Sequence, residues 1–111
     1  KYSSLELMVK SYLEENHVNF IAQYKYKDCI DILPLPFDFY LIDYNVLLEI
    51  DGKQHFEPAM GGQKGFEIRQ KHDAIKNQYC LDNHIELIRI PYTAFNKSEN
   101  WKTYLLQFIK V

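Results

Sequence analysis

The chain has 111 residues, of which 47% are hydrophobic and 15% aromatic, and this length allows one compact domain with a single core. No apolar stretch reaches the roughly 18 to 20 residues of a membrane span and no secretory signal opens the chain, which predicts a soluble, cytoplasmic protein with no membrane partner. The formal net charge of −2 excludes a strongly basic protein.

The first predicted element is an amphipathic helix. Ser3 and Glu6 have the spacing of a capping box, in which each side chain binds the backbone N–H of the other residue. Apolar residues then recur with the helical period, and the helix is expected to end near Glu15 and Asn16. Its apolar stripe consists of Leu5, Met8, Val9, Tyr12 and Leu13.

Three strands are predicted to follow this helix. Residues 18–26 alternate between apolar and polar side chains, as in a half-exposed strand. Residues 37–42 and 46–50 are predicted to form a hairpin around the turn 43–45, and their apolar composition indicates two central strands. One face of the first strand is expected to hold Phe20, Ala22, Tyr24 and Tyr26.

The second half of the chain starts with a glycine- and proline-containing segment, residues 52–65, which is predicted to be a mobile loop. A polar-rich helix is predicted for residues 66–83, a fourth strand for 85–90 and a last helix for 99–110. The side chains expected to pack inward are Phe66, Ile75, Tyr79 and Cys80 or Leu81 in the first of these helices, and Trp101, Tyr104, Leu105, Phe108 and Ile109 in the last.

This order of elements predicts an α/β domain with a central mixed four-stranded sheet. Cys29, expected in the loop before the second strand, and Cys80, expected in the second helix, lie far apart and lack a CxxC spacing. They are therefore predicted to be reduced thiols in the core.

Acidic residues on two adjacent apolar strands are the main chemical signal. Asp38 lies in the second predicted strand, whereas Glu49 and Asp51 lie two apart in the third and share one face of the sheet. A buried carboxylate costs free energy unless a cation or hydrogen bonds compensate it. Because carboxylate oxygens suit Mg²⁺, we expect Asp38, Glu49 and Asp51 to hold this ion, with Mn²⁺ able to substitute.

Such a cluster also changes the meaning of the net charge. If a metal ion neutralises Glu6, Asp38, Glu49, Asp51 and Asp73, 10 of the 15 acidic residues remain against 13 basic residues. The rest of the surface would then be mildly positive, so the net charge does not decide against a nucleic-acid partner.

The element order and several motifs resemble the PD-(D/E)xK restriction-endonuclease-like superfamily. The motifs are Phe37-Asp38-Phe39, Glu49-Ile50-Asp51-Gly52, His55, His72-Asp73 and Ile88-Arg89-Ile90-Pro91-Tyr92. They look most like the very-short-patch repair endonucleases and the related phage homing endonucleases with an EDxHD signature, over nearly the whole chain. The resemblance implies a restriction-endonuclease-like core, Mg²⁺-dependent hydrolysis of double-stranded DNA, and the cytoplasm of a phage or prokaryotic host.

The resemblance also implies site residues. The signature falls on Glu6, Asp38, Glu49 (its variable position), His55 and Asp73. His72, directly before Asp73, is an alternative catalytic histidine, and both assignments stay open at this point. Asp51 stands where the superfamily has its lysine, whereas Lys53 offers a shifted alternative.

Each of these residues has a chemical role to fill. His55 could accept a proton from the attacking water, a step that contributes roughly 10²- to 10⁴-fold to the rate. Asp73 could orient that histidine, and Glu6 could act as an auxiliary ligand. The residues expected to contact DNA are Lys53, Gln54, Lys64, Arg69 and Lys76.

The chain starts with Lys1 rather than methionine, so residues 1–111 are expected to be one nuclease catalytic domain of a longer protein with a separate DNA-binding region. A single site cuts one strand at a time. Cleavage of both strands would need two protomers or two sequential nicks, so a homodimer of the full-length protein is one expectation.

Structural alternatives also stand for several residues. Asp38 could pair with Arg89, and Glu49 could form a salt bridge with a basic neighbour. Glu6 could serve the helix cap alone, and Asp51 could form a turn with Gly52. At the level of function, the first alternative is an inactive nuclease-like module that binds nucleic acid or protein. The second is a nuclease of RNA or single strands, which would stack bases on Tyr40, Phe56 or Tyr92.

Overall fold

The computed structural model describes residues 2–58 and 62–109, and it has an α/β architecture with one mixed four-stranded sheet. The predicted fold class is confirmed at this level. Among the described residues, no helix is both long enough and apolar enough to cross a membrane. In chain order the elements are α1 (Ser4–Glu15), β1 (Phe20–Ile30), β2 (Pro34–Leu41), β3 (Val46–Asp51), α2 (Gly62–Asp82) and β4 (Glu86–Pro91), with 3₁₀ helices at Lys53–His55, Tyr92–Ala94 and Asn100–Tyr104.

The first helix, α1, begins at the predicted capping box. The backbone N–H of Glu6 donates to Oγ of Ser3, and the backbone N–H of Ser3 donates to Oε1 of Glu6, both at 3.2 Å. These bonds satisfy two N–H groups that the first helical turn leaves without a partner. Nδ2 of Asn16 donates to the carbonyl of Tyr12 at 2.9 Å, which closes the helix where the sequence predicts its end.

The strands lie in the order β1-β2-β3-β4, so β2 and β3 are central, as predicted. Both β1 and β3 are antiparallel to β2, whereas β3 and β4 are parallel. A parallel pair needs a long crossover connection, and α2 supplies it. The start of β2 and the ends of β3 and β4 therefore lie at the same end of the strands, marked by Pro34, Asp51 and Pro91. We call this end of the sheet the upper edge.

Side chains cover both faces of the sheet. The first core, on the α1 face, includes Val9, Leu13, Phe39, Leu48, Trp101, Leu105 and Ile109. The second core, on the α2 face, includes Phe37 and Leu47 and the two cysteines, Cys29 and Cys80, which are free and buried as predicted. Because both faces are covered, all six residues of β3 are buried, and a polar side chain there requires a partner.

The first strand, β1, differs from the prediction in the direction of its side chains. Phe20 and Ala22 pack into the first core, whereas Tyr24 and Tyr26 pack into the second. The switch occurs at Gln23, whose φ of 55° interrupts the two-residue alternation of an extended strand. The four residues are all partly buried, but they do not share one face.

Two element boundaries also differ from the prediction, namely the end of β1 and the start of α2. β1 continues to Ile30, so the predicted loop through Cys29 is shorter and starts after that strand. α2 begins at Gly62 rather than at residue 66, and Nε2 of Gln63 supports its first turn by donating to Oε2 of Glu67 at 3.2 Å. The predicted loop before α2 is correspondingly shorter, and its residues 59–61 lie outside the described part of the chain.

The prediction of an α-helix at residues 99–110 is wrong. Asn100–Tyr104 form a 3₁₀ helix, in which backbone N–H groups donate to carbonyls three residues earlier. The hydroxyl of Thr103 donates to the carbonyl of Asn100 at 2.6 Å and competes for the acceptor that an α-helix would use. The predicted packing role of this segment is confirmed, and the chain end after Ile109 lies outside the described part.

A matched pair of leucines tests the packing of this C-terminal segment. Leu105 is fully buried, whereas the adjacent Leu106 is 48% exposed. We expect Leu105→Ala to lower the free energy of unfolding by about 2 to 4 kcal/mol because it leaves a cavity, and Leu106→Ala by less than about 0.5 kcal/mol. Urea denaturation followed by circular dichroism measures both, and equal effects would contradict the described packing.

Candidate active site

The carboxyl groups of Asp38 and Glu49 each accept a hydrogen bond from the backbone of the other strand, at the point where the pairing of β2 and β3 ends. The two strands pair over residues 39–41 and 46–48. Just beyond, the backbone N–H of Asp38 donates to Oε1 of Glu49 at 3.0 Å, and the N–H of Ile50 donates to Oδ2 of Asp38 at 2.7 Å. The two carboxyl groups thus take the place of backbone carbonyls and lie together between the strands.

Lys76 of α2 supplies positive charge to this pair. Its Nζ lies 3.0 Å from Oε2 of Glu49 and 5.3 Å from the centroid of the Phe37 ring, and the residue is buried. The predicted place of Lys76 on a DNA-contacting surface is therefore wrong, because α2 turns this residue toward the sheet. Its ammonium group belongs to the interior of the site.

Burial and mutual repulsion raise the pKa of both carboxyl groups. Burial is the larger cause for Asp38, the charge of Glu49 adds to it, and the pKa of Asp38 rises to about 8. Burial also raises the pKa of Glu49, although the nearby Lys76 and Arg89 oppose the rise. The site thus holds less positive charge than its carboxylates need in a buried environment.

Arg89 of β4 joins two further acidic residues. Its Nη1 lies 2.9 Å from Oδ1 of Asp51 and 3.5 Å from Oδ1 of Asp73, and its Nε donates to Oδ1 of Asn77 at 2.9 Å. Burial raises the pKa of Asp51, with the charge of Arg89 opposing the rise. The sequence allowed Asp38 as the partner of Arg89, but in the structure that partner is Asp51. Arg89 stands opposite Glu49 in the parallel register, and its guanidinium reaches Asp51 two positions further along β3.

His55 lies beside this ion pair, in the 3₁₀ helix after β3. Its Nδ1 is 2.9 Å from Oδ2 of Asp73 and 3.8 Å from Oδ1 of Asp51. The hydrogen bond to Asp73 raises the pKa of His55 above its ordinary value. Burial raises the pKa of Asp73, but the hydrogen bond from His55 and the charge of Arg89 outweigh it, so that the pKa is lowered. This arrangement leaves Nε2 to exchange a proton with a substrate.

The structure separates the two candidate histidines. Nε2 of His72 lies 2.9 Å from Oδ2 of Asp31, in the loop between β1 and β2, whereas His55 contacts Asp73. Successive residues of an α-helix point about 100° apart, so His72 and Asp73 of α2 face different neighbours. Of the two histidines, His55 is the one that contacts Asp51 and Asp73. We use the name acidic cluster for Asp38, Glu49, Asp51 and Asp73 together with their partners His55, Lys76 and Arg89.

Glu6 influences the site through its charge. Its Oε1 accepts the N–H of Ser3 in the capping box, and its charge contributes to the raised pKa of Asp38. A cavity of about 320 Å³ lies between the first turn of α1 and the end of β3, with Glu6, Ile50 and Gln54 among its lining residues. The auxiliary role of Glu6 stays a prediction.

The other predicted DNA contacts lie around the cluster. Lys53 and Lys64 are exposed, and Nζ of Lys53 lies 3.4 Å from Oε1 of Glu57. Nε of Arg69 donates to the backbone carbonyl of Gln54 at 2.9 Å, which ties α2 to the turn after β3. Contact of these residues with DNA stays a prediction.

The donor chemistry fits a hard divalent cation at Asp38 and Glu49. Across residues 2–58 and 62–109, no group of three or more His, Cys, Asp or Glu side chains is arranged to hold a metal ion. Mg²⁺, however, usually takes one or two carboxylates and completes its shell with water, and Lys76 compensates the charge of the paired carboxyl groups only in part. Both oxygens of Asp51 accept hydrogen bonds from Arg89, as those of Glu49 do from Asp38 and Lys76, and the predicted role of Asp51 as a ligand stays a prediction.

The sequence contained signals for the positions of two members of the cluster, Lys76 and Arg89, whose partners were not predicted correctly. Lys76 follows Asp73 by three residues, a spacing that places two helical residues on one face. Arg89 lies in the motif Ile88-Arg89-Ile90-Pro91-Tyr92 and stands opposite Glu49 in the parallel register. Both placements follow only once the crossover of α2 and the order of the strands are known.

Asp73→Asn should lower the pKa of His55, because it removes the carboxylate that raises it. NMR titration of the His55 ring measures this fall. The ion pair stabilises the fold fully between the ordinary pKa values of 3.8 for Asp and 6.5 for His. This stabilisation is lost as the pH rises through the folded pKa of His55 or falls through that of Asp73. Asp31→Asn, which removes the partner of the other histidine, is the matched control and should leave the pKa of His55 unchanged.

Asp38→Asn should stabilise the metal-free protein at neutral pH. Folded Asp38 keeps its proton up to about pH 8, whereas the unfolded chain releases it near pH 3.8, so stability falls as the pH rises between these values. Asparagine avoids this loss, so the free energy of unfolding at pH 7 should increase by about 2 kcal/mol, and the gain should shrink toward pH 4. Urea denaturation in EDTA measures this, with the exposed Asp43→Asn as control; a destabilised variant at pH 7 would contradict the raised pKa.

No protein-family model, curated protein or solved structure matched this chain. The resemblance to restriction-endonuclease-like proteins therefore stays a prediction. The function has to be argued from the geometry and charge of the site.

Proposed function

We propose that this chain is a metal-dependent endonuclease domain that hydrolyses phosphodiester bonds of duplex DNA. The observation that carries the proposal is the buried pair of Asp38 and Glu49, whose pKa values are both raised despite the contact with Lys76. Burying two carboxyl groups side by side costs stability. A divalent cation between them would remove that cost, which gives the pair a function that core packing does not require.

Asp38 and Glu49 are the residues that would hold Mg²⁺, with Mn²⁺ as a substitute. When bound, the ion would supply charge for the phosphate oxygens and lower the pKa of a water molecule. Both carboxyl groups must be ionised in order to coordinate it. The raised pKa of Asp38 therefore predicts that metal affinity increases as the pH rises toward about 8.

His55 is the base in the proposed reaction. Its Nδ1 is directed to Asp73, so that Nε2 can accept a proton from the attacking water. Arg89 contacts both Asp73 and Asp51 and thereby keeps the carboxylate of Asp73 in place. Lys76 favours the ionised form of Glu49 through its charge and hydrogen bond.

The surroundings of the site favour duplex DNA as the substrate. Lys53, two residues after Asp51, and Lys64, in the first turn of α2, are both exposed, and we expect them to contact phosphates of the substrate. The resemblance to very-short-patch repair and homing endonucleases also points to DNA. One acidic cluster would cut one strand at a time, so cleavage of both strands would need two protomers.

A nuclease of RNA or single-stranded DNA is the second candidate. Phe56, directly after His55, is 54% exposed, and its ring centroid lies 5.8 Å from that of Tyr92. An exposed aromatic ring beside a phosphodiester site can stack an unpaired base. Competition among duplex DNA, single-stranded DNA and RNA for inhibition of one labelled substrate separates this candidate from the first.

An inactive module that binds nucleic acid or protein is the third candidate. The central acidic residues have protein partners, namely the backbone of Ile50 for Asp38, Lys76 for Glu49 and Arg89 for Asp51. Such a module would need no metal ion. Its binding should survive Asp38→Asn, whereas metal-dependent hydrolysis should not.

Asp38→Asn and Glu49→Gln should each abolish nicking of supercoiled plasmid in Mg²⁺. Because each change removes one carboxylate expected at the metal, we expect the rate to fall by about 10²- to 10³-fold or more. Agarose gels measure the conversion to open circles, and EDTA should stop the wild-type reaction. Glu86→Gln, an exposed position at the start of β4, is the control and should nick at the wild-type rate.

Two outcomes would overturn the proposal: no nicking by the wild type in either Mg²⁺ or Mn²⁺, or wild-type rates in both variants. Crystals soaked in Mn²⁺ give an independent readout by anomalous scattering. A peak bonded to Asp38 or Glu49 supports the nuclease. Absence of a peak at millimolar Mn²⁺, with Glu49 still paired to Lys76, favours the inactive module.

A further inference from the structure

We infer, on the basis of the proposed function, that the tip of the β1–β2 hairpin is a second DNA contact that enters the major groove and packs against thymine methyl groups. The tip consists of Asp31, Ile32 and Leu33, between the paired residues Ile30 and Pro34. It is not part of the acidic cluster, and none of the roles assigned above explains its composition.

Ile32 and Leu33 are the most exposed large apolar side chains of the described residues, at 86% and 72%. The neighbouring Ile30 and Ile68 are both exposed as well and extend the patch. Apolar surface gathered in one place is unfavourable in water and marks contact sites more often than scattered single residues do. This patch therefore indicates a surface that becomes covered.

The tip is anchored to α2. Oδ2 of Asp31 lies 2.9 Å from Nε2 of His72, and Oδ1 of Asp31 lies 3.0 Å from Nζ of Lys71. The backbone N–H of Asp31 also donates to the carbonyl of Leu33 at 3.3 Å and closes the turn. Because these contacts orient the tip in advance, less ordering entropy is lost when a partner covers Ile32 and Leu33.

The tip stands at the upper edge of the sheet, beside the acidic cluster. Asp38 lies five residues after Leu33, which at about 3.3 Å per residue corresponds to about 16 Å along the strand. Nucleotides follow each other about every 3.4 Å along a DNA strand. A duplex with a phosphate at Asp38 would thus reach the tip about five base pairs away.

Size and charge favour duplex DNA over a protein as the occupant. A stable protein interface involves roughly 20 to 30 residues on each side, many more than this tip offers. The major groove, about 12 Å wide, admits a two-stranded β-ribbon. Lys71 compensates the charge of Asp31, and the Lys71 side chain is still 62% exposed beside the tip, where it can contact a phosphate.

Aliphatic side chains have a specific apolar partner in the major groove, the 5-methyl group of thymine. Deoxyuridine lacks this methyl group and keeps the same base pairing. Replacing thymine by deoxyuridine therefore removes the proposed contact while the phosphates stay in place. The replacement can be made throughout a duplex, so the test does not require the target sequence.

The experiment measures binding of a short mixed-sequence duplex and of its fully deoxyuridine-substituted copy, by fluorescence anisotropy in Ca²⁺. We expect the wild type to bind the thymine duplex at least about threefold more tightly, since the contact buries methyl groups. The Ile32→Ser/Leu33→Ser double variant should bind both duplexes equally, and about tenfold more weakly than the wild type binds thymine DNA. Leu81→Ser, 70% exposed at the far end of α2, is the matched control and should keep the preference.

Other results would overturn the inferred thymine contact or separate it from the proposed nuclease activity. Equal affinity of the wild type for both duplexes overturns it, as does a double variant that keeps the preference. A double variant that keeps wild-type DNA binding but turns a dimer into a monomer in sedimentation assigns the tip to self-association and also overturns it. If the wild type prefers thymine DNA but nicks nothing in Mg²⁺ or Mn²⁺, the DNA contact stands and the proposed nuclease fails; if it binds no duplex, both fail.

Discussion

The hydrogen bonds that the carboxyl groups of Asp38 and Glu49 accept from each other's strand are the constraint on which the rest of the site depends. Each carboxyl group accepts a backbone N–H of the opposite strand where the β2–β3 ladder ends. The bonds satisfy the backbone, but they hold two acidic groups in the interior, where burial raises both pKa values. A cation must then come from elsewhere in the fold, and Lys76 of α2 meets this need in part.

The second helix, α2, connects the parts of the upper edge. The parallel pairing of β3 and β4 requires a crossover, and the crossover helix brings three residues to three different places. His72 contacts the loop between β1 and β2, Asp73 contacts His55, and Lys76 contacts Glu49. A shift of α2 along the sheet would therefore disturb the hairpin tip, the proposed base and the carboxyl pair together.

Local patterns predicted much of the fold. The capping box of α1, the β2–β3 hairpin and the two central strands were correct because their signals lie within a few residues of each other. The 3₁₀ helix at Asn100–Tyr104 was predicted wrongly as an α-helix. Its apolar spacing suits either helix type, and packing against the first core decides between the two. The residues next to Gln23 do not predict its positive φ, which divides the side chains of β1 between two cores.

For the site, the sequence by itself determined that acidic residues would lie on adjacent central strands with a histidine close after them. Alternation along β2 and β3 is enough for that. Only the tertiary structure decided that His55 rather than His72 contacts Asp73, that Arg89 pairs with Asp51, and that Lys76 is buried beside Glu49. The physical reason is that these contacts join residues 18 to 38 positions apart through the register of a parallel strand pair and the rotation of a crossover helix, which no local pattern encodes.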